Sequence, residues 1–173
     1  SKIPAGMSKA DYMEMMVNRC LIEDDDFDML VMGRTQGKGC YCFVNGLLQA
    51  QLAKLTPNYP YMVVDNEAGM EHISRGILPK VDTVILVSDC SRRGVQAVGR
   101  IKELIKECDL RPPSNGLIIN RAPEGKLNEG TLEEVTKQGL DLLGVIPQDE
   151  GVYNNDCDGT HIIQLPQDYT VHK

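Results

Sequence analysis

Five short apolar runs set the architecture this chain can adopt: residues 27–32, 61–64, 83–87, 117–119 and 145–146. Apart from Asp28 and Thr83, each is continuously apolar rather than alternating. Strands buried on both faces have this pattern, so the expected sheet is mainly parallel. Helical periodicity fills the gaps. Ser8 stands ahead of a stretch carrying Tyr12, Met15, Met16 and Cys20, with Asp11 three residues on, as in a capping box. Residues 43–55 put Val44, Leu47, Leu48, Leu52 and Leu55 on one face. Ser91 caps a long expected helix that turns Val95, Val98, Ile101, Leu104 and Ile105 inward, and a fourth helix is expected over residues 132–140. Strand–helix alternation of this kind predicts an α/β fold, a doubly wound, mainly parallel sheet with helices on both faces. No repeat or linker interrupts it, and 173 residues are enough for a single α/β domain over residues 1–173.

The net charge of −7 argues against a nucleic-acid partner, because phosphate contacts need a basic face. No apolar run approaches the ~18 residues of a membrane-spanning helix. Neither a signal peptide nor a basic amphipathic C-terminal helix is visible, so no membrane partner is expected. Six irregularly spaced cysteines in a chain of this size read as reduced thiols, hence a cytoplasmic location. Cys20 and Cys108 are expected to pack, and Cys157 to sit in an exposed loop. Glu23-Asp24-Asp25-Asp26 has no EF-hand spacing and is expected as a solvated turn. The chain opens on Ser1 rather than Met, and an N-terminal segment is expected to precede it.

Ligands of such sheets bind beyond the carboxyl ends of the strands. The polar turns at residues 33–42, 65–69, 88–91, 120–125 and 147–149 are expected there. Asp65 ends an apolar run and Gly69 follows it. In P-loop hydrolases a strand-end Asp holds the Mg²⁺ shell, and a nearby glycine N–H meets the terminal phosphate. The same pattern also suits a simple turn. Gly33-Arg-Thr-Gln-Gly37-Lys38-Gly39 imitates a Walker A loop but is one residue short, with Gly39 where the hydroxyl belongs. It is rejected as one.

Cys40 and Cys42 form a Cys-x-Cys where a strand is expected to become a helix. Metal binding, a redox disulfide and inert packing are all open to such a pair. A helix start favours the thiolate that binds metal, and Lys38 adds charge. One pair supplies two soft ligands, whereas tetrahedral zinc and square-planar Ni(II) take four. Metal binding therefore predicts a homodimer with the site shared across its two-fold axis.

The combined pattern resembles the nickel-insertion accessory ATPases of carbon monoxide dehydrogenase maturation, a branch of the MinD-like deviant Walker P-loop proteins. The matching stretches are Leu30-Val-Met-Gly-Arg34, then Gly39-Cys-Tyr-Cys42 with Val44, Asn45, Leu47 and Leu48. Asp65-Asn-Glu-Ala-Gly-Met-Glu-His72 follows, with Ser74-Arg75, Asn120-Arg121, Gly144-Val-Ile-Pro147-x-Asp149 and Leu165-Pro166. The resemblance implies ATP/ADP with Mg²⁺ as cofactor and Ni²⁺ or Zn²⁺ on Cys40 and Cys42. It implies that Asp65 holds the Mg²⁺ shell and Gly69 senses the γ-phosphate. Asn120 would read the adenine edge beside Arg121, and Pro147, Gln148 and Asp149 would line the base pocket. The implied client is an apo carbon monoxide dehydrogenase or the related acetyl-CoA synthase. The family's Walker A loop lies upstream of the Cys-x-Cys and has no counterpart in these residues. Two alternatives are a nucleotide-independent metal-binding module and a MinD/ParA-type ATPase with another client.

Overall fold

The computed structural model describes residues 3–31, 41–66, 80–108, 110 and 112–166. The chain forms two compact units, Ser1–Pro79 and Lys80–Lys173.

In the first unit, helix α1 (Lys9–Asn18) starts where expected. The Ser8 Oγ accepts from the Asp11 N–H at 3.1 Å, satisfying one of the orphan donors of the first turn. Strands β1 (Leu21–Glu23) and β2 (Asp28–Leu30) pair antiparallel, with Leu21 opposite Leu30 and Ile22 opposite Met29. Of the run at 27–32, expected in the parallel sheet, Asp28–Leu30 thus forms the second arm of a hairpin. Its partner lies only a few residues upstream, and closing so short a loop is the least costly way to pair it. The acidic run ends β1 with Glu23, and its Asp24–Asp26 form the solvated turn of this hairpin, closed by the Asp24 N–H on the Phe27 carbonyl at 3.2 Å. Helix α2 (Tyr41–Leu55) follows and packs on α1, where the Lys54 Nζ meets Glu14 Oε1 at 2.6 Å. Residues 61–66 belong to no strand, and Tyr61 and Val63 are 88% and 93% exposed. The β-branched run has the propensity of a strand, but a strand exists only through a ladder partner. Among the described residues none pairs with it. Cys20 lies beyond the end of α1 and is exposed, not packed as expected.

The second unit is built on a three-stranded parallel sheet of β3 (Thr83–Asp89), β4 (Ser114–Ala122) and β5 (Leu142–Pro147), in that order. Helices α3 (Arg92–Glu107), α4 (Glu129–Lys137) and α5 (Glu150–Cys157) connect or follow the strands. The α/β fold with a parallel sheet is the expected one. Ser91 caps α3 through its Oγ, which accepts from the Gly94 N–H at 3.0 Å. Helix α4 starts earlier than its apolar pattern implies, because Asn128 caps it.

The core lies between α3 and one sheet face. Leu86, Val95, Val98, Ile105, Leu117, Ile119 and Val135 fill it, with Leu117, Ile119 and Val95 sealed from solvent. Full burial of each such side chain contributes about 1.5–3 kcal/mol. The other face departs from the expectation of burial on both sides. Ile85 and Val87 alternate with the buried Leu86 and Ser88 and are more than half exposed. Leu143 is exposed as well, and its side chain lies over Gly116, where a Cβ would overlap it. The β4–β5 ladder is irregular twice. Leu117 faces Leu142 but Ile118 faces Gly144, which leaves Leu143 as an extra residue. Ile119 then faces Val145 and Ala122 faces Pro147, so a second extra residue falls at Asn120–Arg121.

Candidate functional site

The carboxyl edge of the β3–β4–β5 sheet gathers the most polar turns of the second unit. Asp89 and Asn120 are register partners at the ends of β3 and β4. The Asp89 Oδ1 accepts from the Ser91 N–H at 2.8 Å. Hydrogen bonds from the Ser91 side chain and then its backbone hold the Asp89 carboxyl below the usual carboxylate range. The first turn of α3 can approach this closely because position 94 has no side chain. A Cβ there would fall on the Asp89 carboxylate and 2.6 Å from the Ser88 Oγ.

Cys90 follows at the turn, half-buried, with its Sγ 3.8 Å from the Arg121 carbonyl oxygen. Its own carbonyl accepts from the Thr131 Oγ1 at 2.9 Å. Thr131 is 1% exposed, and its N–H donates to the capping Asn128 Oδ1 at 2.8 Å. One turn on, Glu134 is equally buried. It accepts from Arg92 Nε and from Gln138 Nε2, each at 2.8 Å. Gln138 first and Arg92 next hold its carboxyl below the usual range. Helix α4 thereby grips both the strand-end turn and the first residue of α3.

Neighbouring this turn, the bulge of β4 at Asn120–Arg121 re-aims the chain. Arg121 has φ 58°, in the left-handed region that side chains other than glycine and asparagine seldom adopt. The Asn120 Oδ1 accepts from the Arg121 N–H at 2.9 Å. The Gln148 N–H donates to the Ala122 carbonyl at 2.8 Å, which lays β5's end against the bulge. Asp149 then caps α5, its Oδ1 accepting from Gly151 N at 2.8 Å and Val152 N at 3.1 Å. Asn120, Arg121, Pro147, Gln148 and Asp149 thus form one strip, with Arg121 and Gln148 exposed. It offers an amide, a guanidinium and backbone groups to a ligand, the mixture that reads a heteroaromatic edge or an anion.

The other expected site residues fall in the first unit. Asp65 is an exposed carboxylate in the irregular stretch 61–66. Cys42 stands in the first turn of α2. Cys40, Gly69 and His72 lie outside the described residues. Among the described residues no group of three or more His, Cys, Asp or Glu could hold a metal ion. Sequence reasoning missed Thr131 and Glu134, which hold the edge from behind. Asn128-x-x-Thr131 is a capping pattern that marks the start of α4, and an equivalent Asp149 marks α5.

No family model matches the chain. It is 36% identical over 174 residues to an uncharacterized ATP-binding protein of Methanocaldococcus jannaschii, covering 99% of this chain and 68% of that protein. The chain belongs to the MinD/ParA-like ATP-binding protein family. Another relative of this MinD/ParA-like protein is the carbon monoxide dehydrogenase accessory protein CooC of Rhodospirillum rubrum. It is 28% identical over 151 residues, 79% of this chain and 52% of that protein. The fold agrees. A ParA family ATPase from Chlorobium tepidum matches 94% of this chain and 69% of its own length, with a TM-score of 0.73 at 17% identity. The chain therefore spans about two thirds of the first relative and about half of the second. No helix among the described residues is long and apolar enough to cross a membrane.

Proposed function

We propose that this MinD/ParA-like protein is an ATP-dependent metallochaperone that supplies nickel to a maturing carbon monoxide dehydrogenase or the related acetyl-CoA synthase. The observation that carries this reading is the Cys40-x-Cys42 sequence, with Cys42 in the first turn of α2, in a chain similar to a carbon monoxide dehydrogenase accessory protein. Thiolates bind soft and borderline metals, and the N-terminal end of a helix stabilises their charge. One chain gives two sulfur donors through Cys40 and Cys42. A second copy completes four for nickel or zinc, so the metal joins a homodimer.

ATP belongs at the carboxyl edge of the sheet in this reading. Asn120 and Arg121 meet the base, and Pro147, Gln148 and Asp149 flank it. From the sequence resemblance alone, Asp65 is assigned to the Mg²⁺ shell and Gly69 to the terminal phosphate. The γ-phosphate would bias a two-state loop and so alter the grip on the metal.

Metal analysis and light scattering test the thiol half on the protein and its Cys40→Ser, Cys42→Ser double variant. Bound Ni²⁺ or Zn²⁺ and the metal-dependent dimer are expected to disappear together. Unchanged metal content in the variant would end this reading. Titration with a non-hydrolysable ATP analogue tests the nucleotide half, with Asn120→Ala expected to weaken binding. Metal binding without any nucleotide response would instead favour a nucleotide-independent metal-binding module, and nucleotide binding without metal an ATPase with another client.

A further inference from the structure

The second unit contains a cavity of about 420 Å³ at the opposite end of the sheet from Asn120 and Gln148. Val84 and Asn115 are register partners there, near the starts of β3 and β4. Five residues of strand separate them from Asp89 and Asn120, about 17 Å at the usual rise. The cavity is distinct from the edge where nucleotide is placed, and its volume falls in the range of small-molecule pockets, roughly 300–1,000 Å³.

Its walls define the ligand. Val84, Leu86, Ile105, Leu110 and Pro112 supply an aliphatic lining, with no aromatic side chain among the described residues for a flat ring to stack on. A flexible aliphatic chain fits such walls better than a nucleobase does. Lys102 and Lys106 add the charge. On a chain of net charge −7, two lysines in the lining of one apolar cavity are a local reversal of sign. The Lys102 Nζ donates to the Gly139 carbonyl, a neutral acceptor. The Lys106 Nζ meets Glu103 Oε1 at 2.7 Å, with both side chains more than half exposed. An exposed pair of this kind contributes at most about 1 kcal/mol, so Lys106 can turn to an incoming anion at little cost. Among the described residues the two lining lysines meet one carboxylate, Glu103, which leaves a positive charge to match.

We propose that this cavity binds a medium-chain aliphatic carboxylate, its tail among Val84, Leu86, Ile105 and Leu110 and its carboxylate at Lys102 and Lys106. The match is one negative head to one unbalanced positive charge, and one saturated tail to an aliphatic lining.

Octanoate, 1-octanol and octylamine, each below its aggregation threshold, test the assignment by calorimetric titration of the whole chain. Octanoate is expected to bind saturably at one site, about tenfold more tightly than 1-octanol, the equivalent of one 1.4 kcal/mol charge interaction. Lys106→Glu should remove that preference and favour octylamine. Leu110→Trp should fill the cavity and abolish octanoate binding with an unchanged circular dichroism spectrum. Asn115→Trp, at the exposed rim, serves the same purpose if Leu110→Trp does not fold. Equal affinity for octanoate and 1-octanol, binding that survives the filled cavity, or no saturable binding would each overturn the proposal.

Discussion

Replacing Thr131 by Val tests whether α4 holds the strand-end turn through a hydrogen bond or through packing alone. The substitution keeps the side-chain shape and removes the hydroxyl. Thr131 is 1% exposed and its Oγ1 donates to the Cys90 carbonyl at 2.9 Å, so water cannot readily take the donor's place. Leaving a buried acceptor without its donor costs about 1–3 kcal/mol. A loss of about 2 kcal/mol should lower the melting temperature of a chain this long by about 4–8 °C. Urea denaturation followed by circular dichroism gives the free-energy difference directly. Thr131→Ser is the control. It keeps the donor and removes one methyl group, at a cost of about 0.8 kcal/mol. If Thr131→Val matches the unsubstituted protein, or Thr131→Ser falls as far as Thr131→Val, the hydrogen bond is not what holds the turn.

Three further outcomes follow from the same edge. Gly94→Ala should destabilise the protein, although alanine normally gains about 0.5–1 kcal/mol over glycine inside a helix, because its Cβ meets the Asp89 carboxylate; a thermal melt that rises would refute the close approach. The Asp89 carboxyl is held below its ordinary value of 3.8, so its contribution is complete above that pH and fades as pH falls through the lower folded-state value. Acid titration of Asp89→Asn should accordingly show a shallower loss of stability below pH 3.8 than the parent, and identical acid limbs would contradict the assignment. Arg121→Gly should relieve the left-handed backbone and raise stability by about 1 kcal/mol in urea, while weakening ATP-analogue binding if the guanidinium meets the nucleotide. A stability loss would mean that the side chain's contacts outweigh the strain.

What could be read in advance follows the range of the interactions. Ser8 and Ser91 announce their helices because a cap is a contact between a side chain and an amide three residues away. The runs at 83–87, 117–119 and 145–146 become parallel strands because helices separate them and the crossovers have no other simple solution. The run at 27–32 is as apolar apart from Asp28, yet its Asp28–Leu30 joins a hairpin, since apolar content does not name the partner strand. The candidate site was legible as a strip, Asn120–Arg121 and Pro147–Asp149, from the rule that ligands sit at strand ends. Its support was not. Thr131 reaches Cys90 from 41 positions away and Glu134 reaches Arg92 from 42, and no local pattern encodes such a meeting. Nor does Asn-Arg demand a bulge, because the residue in the left-handed region is the arginine, not the asparagine that favours it.

The two irregularities of the β4–β5 ladder are complementary in phase. One residue is gained in β5 at Leu143, and one is gained in β4 at Asn120–Arg121, so the strands return to the alignment they began with. Between the bulges the pairing is offset, and beyond them it is restored. A deletion at either place alone would carry the far ends of the strands out of step and move Pro147 relative to Ala122. Deleting both together would leave the outer alignment intact and only flatten the stretch between. Length variation in this pair of strands should therefore be tolerated in matched steps, one residue from each, and not singly.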